Sequence, residues 1–240
     1  MSKICVVTPT YNEKENLAEL AEKVFALGIP NLEMVVVDDN SPDGTGKLTE
    51  ELGKKYPIKL IRREKKMGLG TAYALAFKKI LAQPFDSAQD KPDFIIQMDA
   101  DLSHDPALIP KFLEHIKSHN LVLGSRYIAG GAIKNWDFTR QLVSRWGNFY
   151  ARTVLGLPYQ DLTGGFKCWR REILEKMDLG SLSSVGYNFQ IETTHKAHTA
   201  GYKILEIPIS FTERKQGKSK MNLKIILESF WKVLKLRIFG

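Results

Sequence analysis

The sequence predicts an α/β protein in which a mostly parallel sheet is flanked by helices. Short apolar runs of strand length alternate with segments whose apolar residues recur at helical spacing. The 240 residues are 43% hydrophobic and 26% charged, which is ordinary for a globular protein and excludes a largely disordered chain. A chain of this length fits one domain of this class. We therefore expect a single α/β domain with a large apolar core.

Seven short apolar runs are predicted to form the strands, because they are rich in β-branched residues and bounded by turn-forming residues. They are Ile4–Thr8, Glu33–Asp38, Ile58–Arg62, Phe94–Met98, Leu121–Gly124, Gly165–Trp169 and Ile204–Phe211.

The predicted helices lie between these strands. The first begins after Asn12, where four apolar residues from Leu17 to Val24 recur at helical spacing. Further helices are predicted at 46–54, 69–82, 106–117, 140–155 and 189–200. Residues 83–92 carry two prolines and predict a surface loop, and residues 128–135 predict irregular structure.

Composition narrows the function only in part. The chain has a net charge of +8, which favours anionic partners such as phosphates or an acidic membrane surface. Cys5 and Cys168 lie in apolar strand-like runs and are predicted to be reduced core thiols of an intracellular protein. Met1–Lys3 leads directly into a strand, and no stretch reaches about 18 uncharged apolar residues. We therefore expect neither a signal peptide nor a membrane span.

Acidic residues follow the predicted strands at their carboxyl ends, which is where open parallel sheets bind ligands. Asp99 and Asp101 come directly after the fourth strand, and residues at i and i+2 of a strand share a face. Two carboxylates that converge repel each other unless a cation lies between them, and Mg²⁺ or Mn²⁺ suits oxygen ligands. The alternative is a pair of solvated loop acids. The position of the pair after a buried strand favours the metal site.

Two common phosphate-binding loops are excluded by single residues. A dinucleotide fingerprint that begins at Gly68 would need glycine where Tyr73 stands. A P-loop around Gly46 would need glycine at Ser41 and a hydroxyl residue at Leu48. The remaining way to bind a nucleotide is through a metal that bridges its diphosphate, with loop side chains that hold the base.

Several short motifs occur in a fixed order between residues 3 and 222. They are Pro9–Glu13, Asp38–Thr45, Gly68–Tyr73, Asp99–His104, Gly124–Tyr127, Asp161–Phe166, Glu206–Phe211 and Gly217–Lys220. Together they resemble the inverting family 2 glycosyltransferases of the GT-A fold. Within that family, the closer resemblance is to the dolichol-phosphate (polyprenol-phosphate) mannosyltransferases.

This resemblance implies transfer of mannose from GDP-mannose to a dolichyl or polyprenyl phosphate, with inversion at the anomeric carbon. It implies a guanosine pocket made by Pro9, Tyr11, Glu13, Val37 and Asp39. It places Asp99, Ala100 and Asp101 at the diphosphate, and Arg140 and Ser144 at the lipid phosphate. It assigns catalysis to Asp101, Arg126, Arg214 and Lys220, the last three as cations that close over the phosphates.

The metal is expected to be Mg²⁺ or Mn²⁺, held by Asp99 and Asp101. Some members of the family carry glutamine as a third ligand two residues after the second aspartate. This chain has Ser103 at that position, which is a weaker ligand and is not counted as one.

The segment 222–240 is predicted to be an amphipathic helix that follows a catalytic domain of residues 1–221. Charged residues recur along it at spacings of 4, 4 and 3, which form one polar stripe. This pattern suits a helix packed on the domain and equally a basic helix on a membrane surface. The lipid substrate favours the membrane surface, so we expect a peripheral protein on the cytoplasmic face of a membrane. A membrane-anchoring partner protein is a further expectation.

Three alternatives are weighed against this interpretation. Within the same enzyme class, the donor sugar could be glucose or an N-acetylhexosamine. A non-catalytic nucleotide-binding or nucleic-acid-binding module suits the net charge, but paired acids at strand ends repel a nucleic-acid backbone. An Asp-x-Asp phosphatase normally carries its motif after the first strand, whereas here it follows the fourth. We therefore expect no nucleic-acid partner.

Overall fold

The computed structural model describes residues 2–82, 91–180, 182, 186–213 and 223–239. These segments contain nine strands: β1 (Ile4–Thr10), β2 (Leu32–Asp38), β3 (Ile58–Arg62), β4 (Phe94–Gln97), β5 (Leu121–Ser125), β6 (Ala132–Lys134), β7 (Lys167–Arg170), β8 (Ile204–Pro208) and β9 (Ser210–Thr212). In these segments, seven strands form one sheet in the order β3-β2-β1-β4-β7-β5-β8, and β6 pairs with β9.

The same segments contain eight α-helices: α1 (Lys14–Phe25), α2 (Thr45–Leu52), α3 (Leu69–Ala82), α4 (Ile109–His115), α5 (Phe138–Leu155), α6 (Arg171–Lys176), α7 (Tyr187–Thr199) and α8 (Leu223–Phe239). A short 3-10 helix, Pro106–Leu108, leads into α4. None of the described helices combines the length and the hydropathy needed to cross a bilayer.

The main sheet is parallel except for β7, which runs antiparallel to its neighbours β4 and β5. Its central strands are buried on both faces, as is typical of a sheet covered by two helical layers. Along β1, Cys5 and Val7 face α3 and α7, whereas Ile4 and Val6 face α1 and α4. The predicted mostly parallel sheet flanked by helices is confirmed.

The predicted strand Ile204–Phe211 is wrong as a single element. β8 pairs with β5 as far as Pro208, and the Ile209 N–H still donates to the Ser125 carbonyl at 3.0 Å. The chain then changes partner, because the Ala132 N–H donates to the carbonyl of Ile209 and β9 pairs with β6. The irregular structure predicted for 128–135 is therefore wrong for Ala132–Lys134.

Other differences from the prediction are local. Helix α6 has six residues, which is too few to display a helical period in sequence. Helix α5 begins at Phe138, because the Asp137 side chain accepts the Arg140 N–H at 2.8 Å and caps the helix there. The burial predicted for Cys5 and Cys168 is confirmed, and both are free thiols. Most of the predicted loop 83–92 lies outside the described residues.

Lys167 is a fully buried cation that joins β7 to α7. Its Nζ donates to the Gln190 carbonyl at 2.8 Å, to Thr194 Oγ1 at 3.0 Å and to Thr193 Oγ1 at 3.3 Å. Burial lowers the pKa of Lys167 to about 7, and the negative charge of Asp161 offsets only part of that shift. The lysine thus joins β7 to the first half of α7.

Lys167→Met should reduce the increase of the free energy of unfolding with pH between about pH 7 and pH 10.5. An ordinary lysine has a pKa of 10.5, whereas the native pKa is about 7. Between these values the unfolded chain binds more protons than the native chain, so the free energy of unfolding rises with pH. Chemical unfolding at several pH values in this window measures the slope. The exposed Lys79→Met is the control, and equal slopes in Lys167→Met and the unmodified protein would contradict the prediction.

Candidate active site

Asp99 and Asp101 lie in the turn after β4 and not in the strand itself. The strand ends at Gln97, and Leu102 adopts a left-handed conformation with φ of 59°. Both aspartates line the same cavity. The turn therefore brings the two aspartates together. The prediction that they converge because side chains alternate along a strand was wrong.

The carboxylate of Asp99 is positioned by contacts on several sides. The buried Tyr73 hydroxyl donates to Asp99 Oδ1 at 3.2 Å. The Asp99 backbone N–H donates to His104 Nδ1 at 3.2 Å. A Cβ atom at Gly165 would lie 3.3 Å from Asp99 Oδ2, so a larger residue there would push the carboxylate by a few tenths of an ångström. The structure thus fixes this side chain before any ligand binds.

The ring of His104 is neutral in this environment. Burial lowers its pKa to about 4, the carboxylate of Asp101 opposes this shift, and the charge of Arg126 adds to it. A neutral ring leaves Nδ1 able to accept the Asp99 N–H. His104 therefore acts on the site by holding the backbone at Asp99.

Asp101 is held by Ser103. Its Oδ1 accepts the Ser103 backbone N–H at 3.1 Å and the Ser103 hydroxyl at 2.5 Å. This short turn fixes the direction of the carboxylate. Ser103 thus serves as a hydrogen-bond donor to Asp101.

Arg126 forms a buried bidentate ion pair with Asp161. Its Nε and Nη2 each donate to one carboxylate oxygen at 2.7 Å, and Nη2 also donates to Thr163 Oγ1 at 2.8 Å. Burial alone raises the pKa of Asp161, but the charge and hydrogen bonds of Arg126 hold it below its ordinary value. Arg126 is thereby anchored at the wall of the cavity.

Arg140 lies at the cavity between Glu213 and Trp136. Its Nη1 is 2.5 Å from Glu213 Oε1, and its guanidinium stacks 4.0 Å from the centre of the Trp136 ring. Among the described residues, no acceptor meets either Arg140 Nε or Trp136 Nε1, although both atoms are buried. A buried donor without an acceptor is costly, so these two N–H groups fit an anionic ligand.

Ser144 follows Arg140 by one turn of α5, so both residues lie on the same side of the helix. The Tyr127 hydroxyl donates to Ser144 Oγ at 2.7 Å. The structure therefore brings the two residues assigned to the lipid phosphate into the cavity of the two aspartates.

This cavity has a volume of about 520 Å³ and a lining of two chemical kinds. Its charged and polar lining residues include Asp99, Asp101, His104, Arg126, Arg140 and Ser144. Its apolar and aromatic lining residues include Leu142, Val143, Trp146, Tyr150, Ile191, Phe230 and Val233. Such a cavity suits a ligand with an anionic head and a hydrocarbon tail.

The predicted guanosine residues lie elsewhere, at the carboxyl ends of β1 and β2. None of these residues lines the cavity of the two aspartates. The predicted guanosine residues are Pro9, Tyr11, Glu13, Val37 and Asp39. Val37 is fully buried in the core, and Ala100 of the diphosphate motif is buried as well.

Asp39 is engaged in an ion pair that the sequence analysis missed. Arg63 donates to its two carboxylate oxygens at 2.5 and 2.6 Å, and both side chains are almost fully buried. Arg63 follows β3 directly, at the same edge of the sheet. The available signal in the sequence was the pair Arg62–Arg63 at the end of the strand that follows the acidic end of β2.

The structure adds Tyr73, Trp136 and Glu213 to the cavity region, and none of them was assigned a role from sequence. Tyr73 entered the sequence analysis only as the residue that excludes a dinucleotide fingerprint and as the end of one resembling motif. Glu213 directly precedes the predicted catalytic residue Arg214. The predicted catalytic residues Arg214 and Lys220 lie outside the described residues.

The described residues fit a divalent cation. Within them, no group of three or more His, Cys, Asp or Glu side chains forms a closed metal cage. Two carboxylates, Asp99 and Asp101, nevertheless face one cavity, and Gly165 leaves room for the first of them. A hard cation that takes its remaining ligands from water and a diphosphate suits this donor set.

Comparison with known proteins identifies the family. Residues 5–178 match the sequence profile of Glycosyl transferase family 2. A polyprenol monophosphomannose synthase from Mycolicibacterium smegmatis is 40% identical over 238 residues, which cover 98% of this chain and 87% of that protein. An undecaprenyl-phosphate mannosyltransferase from Micrococcus luteus is 36% identical over 228 residues, which cover 95% of this chain and 90% of that protein.

The fold is also similar to solved structures. Glucosyl-3-phosphoglycerate synthase from Mycobacterium tuberculosis, in complex with Mn²⁺, uridine diphosphate and phosphoglyceric acid, aligns with a TM-score of 0.74 and 15% identity. The alignment covers 99% of this chain and 79% of that one, which confirms the predicted GT-A fold. The chain therefore belongs to glycosyl transferase family 2.

Proposed function

We propose that this glycosyltransferase transfers mannose from GDP-mannose to a dolichyl or polyprenyl phosphate. The observation that carries the proposal is a single cavity lined by two aspartates, two arginines and a large set of apolar and aromatic side chains. A polyprenyl phosphate has the anionic head and hydrocarbon tail that this cavity fits. The names of the two relatives, which are 36% and 40% identical, support both the sugar and the acceptor class.

The acceptor needs no general base. A phosphate monoester has a second pKa of about 6, so its oxygen is already an anionic nucleophile near neutral pH. The work left to the protein is to bring two anions together. At about 4 Å, two unit charges repel by roughly 4 kcal/mol at an effective dielectric of 20. In-line attack at the anomeric carbon then inverts its configuration.

Arg140, Trp136 and Ser144 hold the acceptor phosphate in this proposal. The buried donors Arg140 Nε and Trp136 Nε1 turn toward phosphate oxygens, and Arg140 exchanges its contact with Glu213 for the ligand. Arg126 lines the same cavity and stabilises the negative charge that develops on the leaving diphosphate. Arg214 and Lys220 are proposed to close over the phosphates from the segment after Glu213.

Asp99 and Asp101 would hold Mg²⁺ or Mn²⁺ at the donor diphosphate. The metal supplies charge neutralisation of the leaving group when it is bound. Tyr73, His104 and Ser103 keep both carboxylates in place for that purpose. The complex of the fold neighbour with Mn²⁺ and uridine diphosphate supports a divalent cation together with a nucleoside diphosphate.

The guanosine is proposed to lie across the ends of β1 and β2, beside Pro9, Tyr11, Glu13, Val37 and Asp39. Tyr11 is half-buried, and the Lys66 ammonium lies 4.0 Å from the centre of its ring. The alternative donors carry glucose or an N-acetylhexosamine, and the fold neighbour is named for a glucosyl product. We favour mannose because the relatives of higher identity are named for it.

We further propose that the protein acts at the cytoplasmic face of a membrane, with α8 on the membrane surface and with a membrane-anchoring partner protein. Its acceptor is a lipid, which supports this location. The predicted boundary between residues 221 and 222 is close to the start of α8 at Leu223.

A labelled-donor assay tests the donor and the acceptor together. The protein is incubated with a polyprenyl phosphate, Mg²⁺ or Mn²⁺, and either labelled GDP-mannose or another labelled nucleotide sugar. We expect label in the organic phase from GDP-mannose alone. Transfer from UDP-glucose in place of GDP-mannose would contradict the proposed donor, and absence of transfer from all donors would contradict the activity.

Asp101→Ala should abolish metal-dependent turnover, because it removes one of two carboxylates that face the diphosphate. The exposed Glu114→Ala on α4 is the matched loss of a carboxylate and should leave turnover unchanged. Turnover and Mn²⁺ binding are measured for both variants. Full activity of Asp101→Ala would remove the metal role proposed here.

Arg140→Lys should raise the KM for the lipid phosphate by about tenfold, because lysine keeps the charge but loses the planar stack on Trp136. Glu213→Gln should lower that KM, since a competing carboxylate is removed from Arg140. Arg145→Lys, on the same helix but outside the cavity lining, is the control. An unchanged KM in Arg140→Lys would contradict the acceptor site.

A further inference from the structure

Asn188 brings an amide oxygen without a hydrogen-bond partner to the wall of the cavity. The residue is the second of α7 and is only 6% exposed. Its Nδ2 donates to Ser229 Oγ of α8 at 3.1 Å, and both residues line the cavity of the two aspartates. Its Oδ1 is buried, and no donor within the described residues meets it. A buried acceptor without a donor is costly, so this oxygen fits a ligand that donates a hydrogen bond.

The surroundings of this amide are apolar. Ile191 follows Asn188 by three residues on α7, and Val233 follows Ser229 by four residues on α8, so each lies on the same side of its helix as the polar residue. Both Ile191 and Val233 are buried and line the cavity. A hydrogen bond is stronger in such surroundings than in water, and its loss costs more. The Asn188 oxygen can therefore distinguish a ligand that carries a donor at this place from one that lacks it.

The first turn of α7 is fixed relative to Asp99. Phe189, the neighbour of Asn188, stacks on the ring of Tyr73 with ring centres 5.8 Å apart and an angle of 9° between the planes. The hydroxyl of the same tyrosine donates to Asp99 Oδ1. Asn188 and Asp99 thus line one cavity and are connected through a single pair of stacked rings.

The chemistry of the proposed reactants identifies the donor of the missing hydrogen bond. An ionised phosphate and a metal-bound diphosphate offer oxygens that accept hydrogen bonds, and a polyprenyl chain carries no polar hydrogen. The nucleoside is proposed to lie at the ends of β1 and β2, outside the lining of this cavity. In-line transfer requires the sugar to lie between the diphosphate and the acceptor phosphate. The hydroxyl groups of the sugar are therefore the donors that remain.

We propose that Asn188 Oδ1 accepts a hydrogen bond from a hydroxyl group of the transferred sugar, and that Ser229 of α8 holds the amide for this contact. Asn188 then determines part of the specificity for the donor, and α8 contributes a side chain to sugar recognition. The assignment to a sugar rests on the proposed function, which supplies a nucleotide sugar as donor and a phosphate as acceptor.

A double-mutant cycle between the protein and the donor tests this contact. The kcat/KM is measured for GDP-mannose and for its four monodeoxy analogues, each of which lacks one sugar hydroxyl. The unmodified protein is compared with Asn188→Leu, which has a side chain of similar size and no amide. We expect Asn188→Leu to lower kcat/KM for GDP-mannose about tenfold, and to have little effect for the one analogue that lacks the bound hydroxyl. Equal losses with all five donors would assign the oxygen to water and overturn the proposal.

Donor binding separates a contact with the sugar from damage to the fold. In calorimetry with Mn²⁺, Asn188→Leu should bind GDP as the unmodified protein does and GDP-mannose about tenfold more weakly. Ser229→Ala keeps the amide but removes its partner, so it should weaken GDP-mannose binding by a smaller factor of about three. A loss of GDP binding that equals the loss of GDP-mannose binding in both variants would contradict the contact, and so would an unchanged affinity for GDP-mannose.

Asn120→Leu is the matched control. Asn120 lies outside the cavity lining, and both ends of its amide have protein partners: Oδ1 accepts the Lys203 N–H at 3.0 Å, and Nδ2 donates to Glu172 Oε1 at 2.8 Å. This variant should use all five donors as the unmodified protein does. Absence of mannose transfer by the unmodified protein would refute the proposed function and this inference with it. Mannose transfer without any dependence on the amide of Asn188 would refute the inference alone.

Discussion

The buried ion pair between Arg126 and Asp161 is the interaction on which the geometry of the site depends. It joins the end of β5 to the loop before β7, and Thr163 in that loop meets both Arg126 and Asn148 of α5. The same loop brings Gly165 against the carboxylate of Asp99. This one ion pair thus connects β5 to the loop that contacts both α5 and Asp99. Removal of either partner would leave an uncompensated charge, at a cost of about 3–5 kcal/mol.

The polar and the apolar residues of the cavity serve different parts of a ligand. Its polar lining gathers carboxylates and guanidinium groups that hydrogen bonds and ion pairs already orient. Its apolar lining offers surface to hydrocarbon. Because the proposed acceptor is an anion, a protein of this kind needs charge placement more than proton transfer. The neutral ring of His104, which holds the backbone of Asp99, agrees with this division.

The sequence predicted the order of the main elements because strand runs and helical spacings are local signals. It identified Asp99 and Asp101 through their position after β4, but the turn that orients them depends on the conformation of Leu102. Arg63 and Tyr73 were missed, since each meets its partner only through the packing of segments that lie 24 or 26 residues apart. The division of residues 204–212 between two sheets was missed for the same reason: the pairing of β9 with β6 has no trace in either segment alone.

The two cysteines have a practical consequence. Cys5 and Cys168 are wholly buried, and burial raises the pKa of both thiols, so in the folded protein they do not react with maleimides or methanethiosulfonates. The chain contains no other cysteine. A single cysteine introduced on the surface can therefore carry a spin label or a dye without prior removal of the native thiols. Distances between such labels would report how the helices around the cavity respond to nucleotide and lipid.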